Sequence, residues 1–130
     1  MKVKLLFIAL VYWLIVLGAL GMNSVEAAPM VIDFELEIEL NNTTEFEMDY
    51  EMENHKMEAK YKAPGTATKY GQEAQKMIEP FLNELNLSPD SNKEELKKQI
   101  LAILELTPND VVEFELEVKF DTGAKLKLDQ

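Results

Sequence analysis

Ile32-Asp33-Phe34-Glu35-Leu36-Glu37-Ile38-Glu39-Leu40 alternates without a break between apolar and acidic residues. Successive side chains of an extended chain leave on opposite sides, so the run predicts a strand with one apolar and one anionic face. Such a strand belongs in a half-buried sheet, because the apolar face needs a covering layer and the carboxylates need water. After Asn41-Asn42-Thr43-Thr44, a turn by composition, the alternation resumes. Phe46, Met48, Tyr50 and Met52 lie on one side, against Glu45, Glu47, Asp49, Glu51 and Glu53 on the other, which completes a hairpin. A second turn at Asn54-His55 leads to a third, shorter strand. Its Met57, Ala59 and Tyr61 face inward, Lys56, Glu58, Lys60 and Lys62 face outward, and Ala63-Pro64-Gly65 ends it.

The period then changes. Ala74, Met77, Ile78, Phe81, Leu82 and Leu85 form one stripe of an amphipathic helix, with Pro80 inside it; a proline there predicts a kink or a break near Glu79. Ser91 and Glu94 have the spacing of a capping box for a second helix, striped by Leu96, Ile100, Ile103 and Leu104 and stopped by Pro108. Alternation returns with Val112, Phe114, Leu116, Val118 and Phe120 inward. It then turns through Asp121-Thr122-Gly123 into Leu126 and Leu128. The order β-β-β-α-α-β-β predicts an α+β fold, an antiparallel sheet of about five strands with two helices packed on one face.

Ahead of this domain, Lys2 and Lys4 precede an apolar run from Leu5 to Met22, and small residues lead to Val25-Glu26-Ala27. Residues 1–27 thus read as an export signal cut before Ala28, leaving residues 28–130 as a single domain. The same eighteen-residue run is long enough, at the lower edge, to stay as an uncleaved anchor. Either way the domain is expected outside the membrane, secreted or held at its outer face.

The whole chain carries a formal charge of −11, and its 13 Lys or Arg positions are all lysine. Without arginine for bidentate contacts, and with a net charge that repels phosphates, a nucleic-acid role is excluded. Anionic membrane surfaces repel the domain as well, so membrane contact is expected only through the N-terminal segment. A basic peptide or a cation, by contrast, is drawn to it. There is no cysteine, so neither disulfides nor a lipid-bearing thiol are available and the hydrophobic core alone must hold the domain.

No motif supplies catalysis. Asp121-Thr122-Gly123-Ala124 resembles the loop of an aspartic protease, yet only Lys125 to Gln130 follow it, and Asp-x-Gly is ordinary hairpin chemistry. The acids from Glu45 to Glu53 lack the glycine and closing glutamate of a calcium loop. Met48 and Met52 lie roughly 13 Å apart along a strand, too far to share a soft metal ion. His55 and the serines Ser88 and Ser91 fall in turns and caps, and no nucleophile, base and orienter can be assembled from them. The chain therefore reads as non-enzymatic, with no cofactor and no metal site. Asn41 and Asn42 begin overlapping glycosylation sequons, relevant only in a eukaryotic secretory route.

The lysine-bearing third and last strands suit the sheet edges. The other three then gather Glu35, Glu37, Glu39, Glu47, Asp49, Glu113, Glu115 and Glu117 into one acidic stripe. A competing order sets the last strand beside the first, matching Lys125 and Lys127 with Glu35 and Glu37. The stripe serves solubility, or else it receives a cationic partner or divalent ions.

Phe34-Glu-Leu-Glu-Ile-Glu-Leu after an export signal, Met77-Ile-Glu-Pro-Phe-Leu-Asn-Glu-Leu, and Val112-Glu-Phe-Glu-Leu-Glu-Val-Lys-Phe-Asp-Thr-Gly together resemble the YusW-like proteins of Gram-positive, Bacillus-like bacteria. The resemblance runs over about residues 31 to 128. It implies a cell-envelope or secreted domain of uncharacterised function with no catalytic residues to carry over. Members of such families are often lipoproteins, which this cysteine-free chain is not. The expected function is an interaction module that meets another envelope or secreted protein; a cation-binding protein and, further off, a hydrolase are the alternatives. N-terminal sequencing of the exported protein is expected to start at Ala28, and an intact Met1 in the membrane fraction would mean a tethered domain instead.

Overall fold

The computed structural model describes residues 29–129. The expected signal or anchor, Leu5 to Met22 included, lies outside the described residues. No helix among those described is long and apolar enough to cross a membrane. The chain runs β1 (Val31–Leu40), β2 (Glu45–Glu53), β3 (Lys56–Lys62), β4 (Lys69–Tyr70), α1 (Gly71–Leu85), α2 (Lys93–Ile103), β5 (Val111–Phe120) and β6 (Lys125–Asp129). The α+β architecture is the expected one, with six strands among the described residues rather than five: a two-residue β4 pairs with Lys60 and Tyr61 of β3. The order β4-β3-β2-β1-β5-β6 puts β1 at the centre and β6 at an edge. It overturns the competing order, since β6 pairs with β5 and not with β1. The third strand is not an outermost strand either, because β4 borders part of it.

Turn chemistry sets this register. The β1–β2 and β5–β6 connections are built alike. Leu40 N–H donates to Thr44 O at 2.9 Å, and Phe120 N–H to Ala124 O at 2.9 Å. Each leaves a three-residue loop whose last residue, Thr43 at φ 68° or Gly123 at φ 91°, is left-handed. Asn54 and His55, at φ 52° and 64°, make the two-residue turn with both residues left-handed that suits a tight hairpin. Asp-Thr-Gly is thus a hairpin turn, and the Asp121 carboxylate accepts from Met30 N–H at 3.0 Å.

Burial follows the alternation. Phe34, Leu36, Ile38 and Leu40 of β1 and Phe114, Leu116, Val118 and Phe120 of β5 are buried under Ala74, Ile78, Phe81 and Leu85 of α1 and Leu96, Ile100 and Leu101 of α2. Phe34 meets Phe81 edge to face, centroids 6.1 Å apart, and the Lys97 ammonium lies 5.5 Å from the centre of the Phe114 ring. No polar or charged residue is buried among those described.

Five local expectations are corrected. Val112 is 62% exposed, because the β1–β5 register shifts between Glu39 and Leu40 and the extra residue in β5 leaves the alternation. Met77 is 43% exposed, at the margin of the α1 stripe rather than in it. Pro80 does not break α1, which runs unbroken to Leu85. The ring stands on the exposed side of the helix, where water can meet the carbonyl one turn back. The cap of α2 is Asn92, accepting from Glu95 N–H at 3.0 Å, while Ser91 Oγ accepts from Ser88 N–H at 3.0 Å. That helix also ends before Pro108. Leu106 N–H bonds Leu101 O and Glu105 N–H bonds Ala102 O, with Glu105 left-handed at φ 60°, a Schellman ending.

Phe34→Ala removes a fully buried ring at the centre of the sheet and is expected to cost about 3–5 kcal/mol in urea unfolding. Val112→Ala, at the exposed bulge, is expected to stay within about 0.5 kcal/mol.

Candidate functional site

Because β2 and β5 both pair with β1, their carboxylates fall into ranks across the outer face. Asp49 stands opposite Glu35 and Glu35 opposite Glu117. Glu47, Glu37 and Glu115 form the next rank, and Glu45, Glu39 and Glu113 the third. The structure brings all eight residues of the expected stripe together. It also adds Glu45, and Asp33 opposite both Glu51 and Lys119. Those additions were within reach of sequence reasoning, since a three-residue loop closed by Leu40 and Thr44 fixes the pairing of every acid in the hairpin. Neighbours within a rank are roughly 4.5–5.5 Å apart at their Cα atoms. Ranks follow one another along β1 at roughly 6.6–6.8 Å.

Lysines border two of the ranks. Lys60 stands opposite Asp49 and Lys62 opposite Glu47 on one side, and Lys127 opposite Glu117 on the other. They do not neutralise their direct partners. The Lys60 ammonium leans diagonally to Glu47 at 3.2 Å and that of Lys62 to Glu45 at 2.9 Å; such exposed pairs contribute little. The trough between the borders has a volume of about 530 Å³, with Glu35, Glu37, Glu47, Asp49, Glu115 and Glu117 among its lining residues.

The crowding shows in the acids. Partial burial, then the neighbouring Glu47 and Glu35, push Asp49 up to about 6, against a smaller opposing pull from Lys60. Burial and the Asp33 and Glu117 charges raise Glu35. Burial and the carboxylates of Glu45, Glu47, Glu115 and Glu113 raise Glu37. Burial raises Asp33, with Lys119 opposing. The opposite case is Asp110, held low by the Thr107 N–H and hydroxyl, which donate to its carboxylate at 3.0 and 2.9 Å.

Among the described residues the trough is lined by Asp, Glu, Leu and Lys alone, so its lining offers no hydroxyl, thiol or imidazole. Among the described residues no three His, Asp or Glu side chains converge as metal ligands do. Parallel carboxylates on a sheet face do not enclose an ion.

The sequence between Ile32 and Thr122 matches the family model described as YusW-like protein. The chain belongs to the YusW-like family. No curated protein and no solved structure matches it. The match runs from β1 through β5 into the following turn, so the YusW-like region contains every carboxylate of the three ranks, whereas bordering Lys127 lies beyond it.

The raised carboxylates set a sign for pH dependence. Protons bound by the folded chain and released by the unfolded one make stability rise as pH falls. The destabilisation is full above the raised values, is relieved as pH falls through about 6 for Asp49, and is gone below the ordinary range near about 4. Asp110, shifted down, contributes stability that is lost only below that range. The melting temperature is therefore expected to be higher at pH 5 than at pH 7.5. Asp49→Asn is expected to raise the neutral-pH value and flatten the profile, as thermal melts across this range will show.

Proposed function

We propose that this YusW-like protein is a non-enzymatic, extracytoplasmic interaction module that receives a cationic partner, most simply a basic segment of another envelope or secreted protein, on its acidic sheet face. The observation that carries the reading is the in-register placement of three acids in each rank of β2, β1 and β5. An extended peptide advances roughly 6.6–6.8 Å every two residues, the interval between ranks, so a strand-like partner with alternating lysines sets one ammonium over each rank. A compact divalent ion gains less, because its six to eight oxygens must surround it at about 2.0–2.6 Å. Export is supported by the signal-like residues 1–27. The absence of a hydroxyl, thiol or imidazole from the trough lining supports a binding role over hydrolysis.

A labelled peptide of alternating lysine and threonine tests the reading by fluorescence anisotropy. Binding is expected at low salt, weakening steeply with NaCl. Changing Glu35, Glu37 and Glu117 together to glutamine is expected to weaken it by at least about tenfold. Equal binding by that variant would sink the proposal. A melting point that rises in millimolar calcium, with no peptide binding, would favour the ion instead.

A further inference from the structure

On the helical side of the sheet, away from the acidic trough, a cleft of about 360 Å³ opens where the C-terminal half of α1 passes over the start of β1 and over Tyr50 of β2. Val31, Leu82 and Leu87 give it apolar walls, and Tyr50, Glu79, Asn83 and Asn86 give it polar groups. Glu79 is used on one side only: Tyr50 Oη donates to its Oε2 at 3.2 Å and Gln75 Nε2 to the same oxygen at 2.7 Å, and Oε1 carries neither bond. Among the described residues, those around the cleft include no lysine. The last turn of α1 holds no basic residue, so the partial negative charge of the helix end has no cation of its own there.

Three independent features thus ask for the same ligand. A carboxylate oxygen without either donor and a helix C-terminus favour a cation, and both disfavour an anion. Apolar walls disfavour a hydrated metal ion and favour carbon. We propose that the cleft binds an alkylammonium group, its nitrogen at Glu79 Oε1 and its carbon chain along Val31, Leu82 and Leu87. The chemistry is shared by a free alkylamine and by a lysine side chain of a polypeptide. Both lie beyond the acidic-face reading, because the cleft is on the other side of the sheet.

The test is a chemical-shift titration of the full chain in detergent micelles, followed at the backbone amides of Leu82, Asn86 and Leu87. Two probes are used, n-butylammonium and Nα-acetyl-lysine N-methylamide, with n-butanol as the uncharged counterpart. Amines that merely collect over the acidic trough leave these amides unmoved. Saturable shifts are expected with at least one amine and not with butanol. Glu79→Gln is expected to weaken binding about tenfold, whereas Glu73→Gln, which removes an exposed carboxylate of the same helix outside the cleft, retains it. Tighter binding of the lysine derivative assigns the site to a polypeptide side chain, and tighter binding of butylammonium to a free amine; both support the proposal. Equal shifts with butanol, undiminished binding by Glu79→Gln, or no saturable shift with either amine would overturn it.

Discussion

The structure depends on β1, a strand that is buried on one side and charged on the other while paired along both edges. Phe34, Leu36, Ile38 and Leu40 are all buried, and each such side chain is worth about 1.5–3 kcal/mol relative to exposure. A slip of one residue would turn the whole set to water. The opposing term is the meeting of like charges: Glu35, Glu37 and Glu39 each face an acid on both neighbouring strands. At roughly 0.2–1 kcal/mol per pair, that repulsion is smaller than the burial that imposes it. The apolar face wins, and the acidic ranks are the consequence.

The sheet relieves part of the repulsion at its margins. Lysines enter at β3, β4, the end of β5 and β6, and Lys60 and Lys62 lean toward Glu47 and Glu45, so the central ranks keep their charge. Asp49 stands directly opposite Lys60, yet the ammonium contacts Glu47 instead. Partial burial and then its acidic neighbours hold the Asp49 carboxyl high against a weaker pull from Lys60. A face maintained against its own repulsion gains from any cation that settles on it, which links the energetics of the fold to the proposed function.

Most of this was legible in the sequence because it rests on strict alternation. The strands, the two helices and the eight clustered acids follow from a period of two or of 3.6. What was not legible breaks the period or adds to it without a signal. Val112 sits at a bulge created by two unequal paths between the same hydrogen-bonded ends. Lys69-Tyr70 is too short to show a period. The choice between Ser91 and Asn92 as the cap of α2 turns on one residue of phase. Pro80 misled because its effect depends on whether the carbonyl one turn back can reach water, which the residue type does not reveal. The helix–sheet cleft had no sequence signal at all, since Tyr50 and Glu79 meet only through the packing of α1.

Burial of the β1 apolar face holds like charges in register at a cost. Thermal melting at neutral pH in NaCl tests it most directly, because salt shortens the reach of exposed charges from roughly 30 Å at 0.01 M to roughly 3 Å at 1 M. The melting temperature should rise across that range, and rise less once Glu37, flanked by Glu47 and Glu115, is changed to glutamine. A melting temperature that stays flat or falls with NaCl would contradict the account.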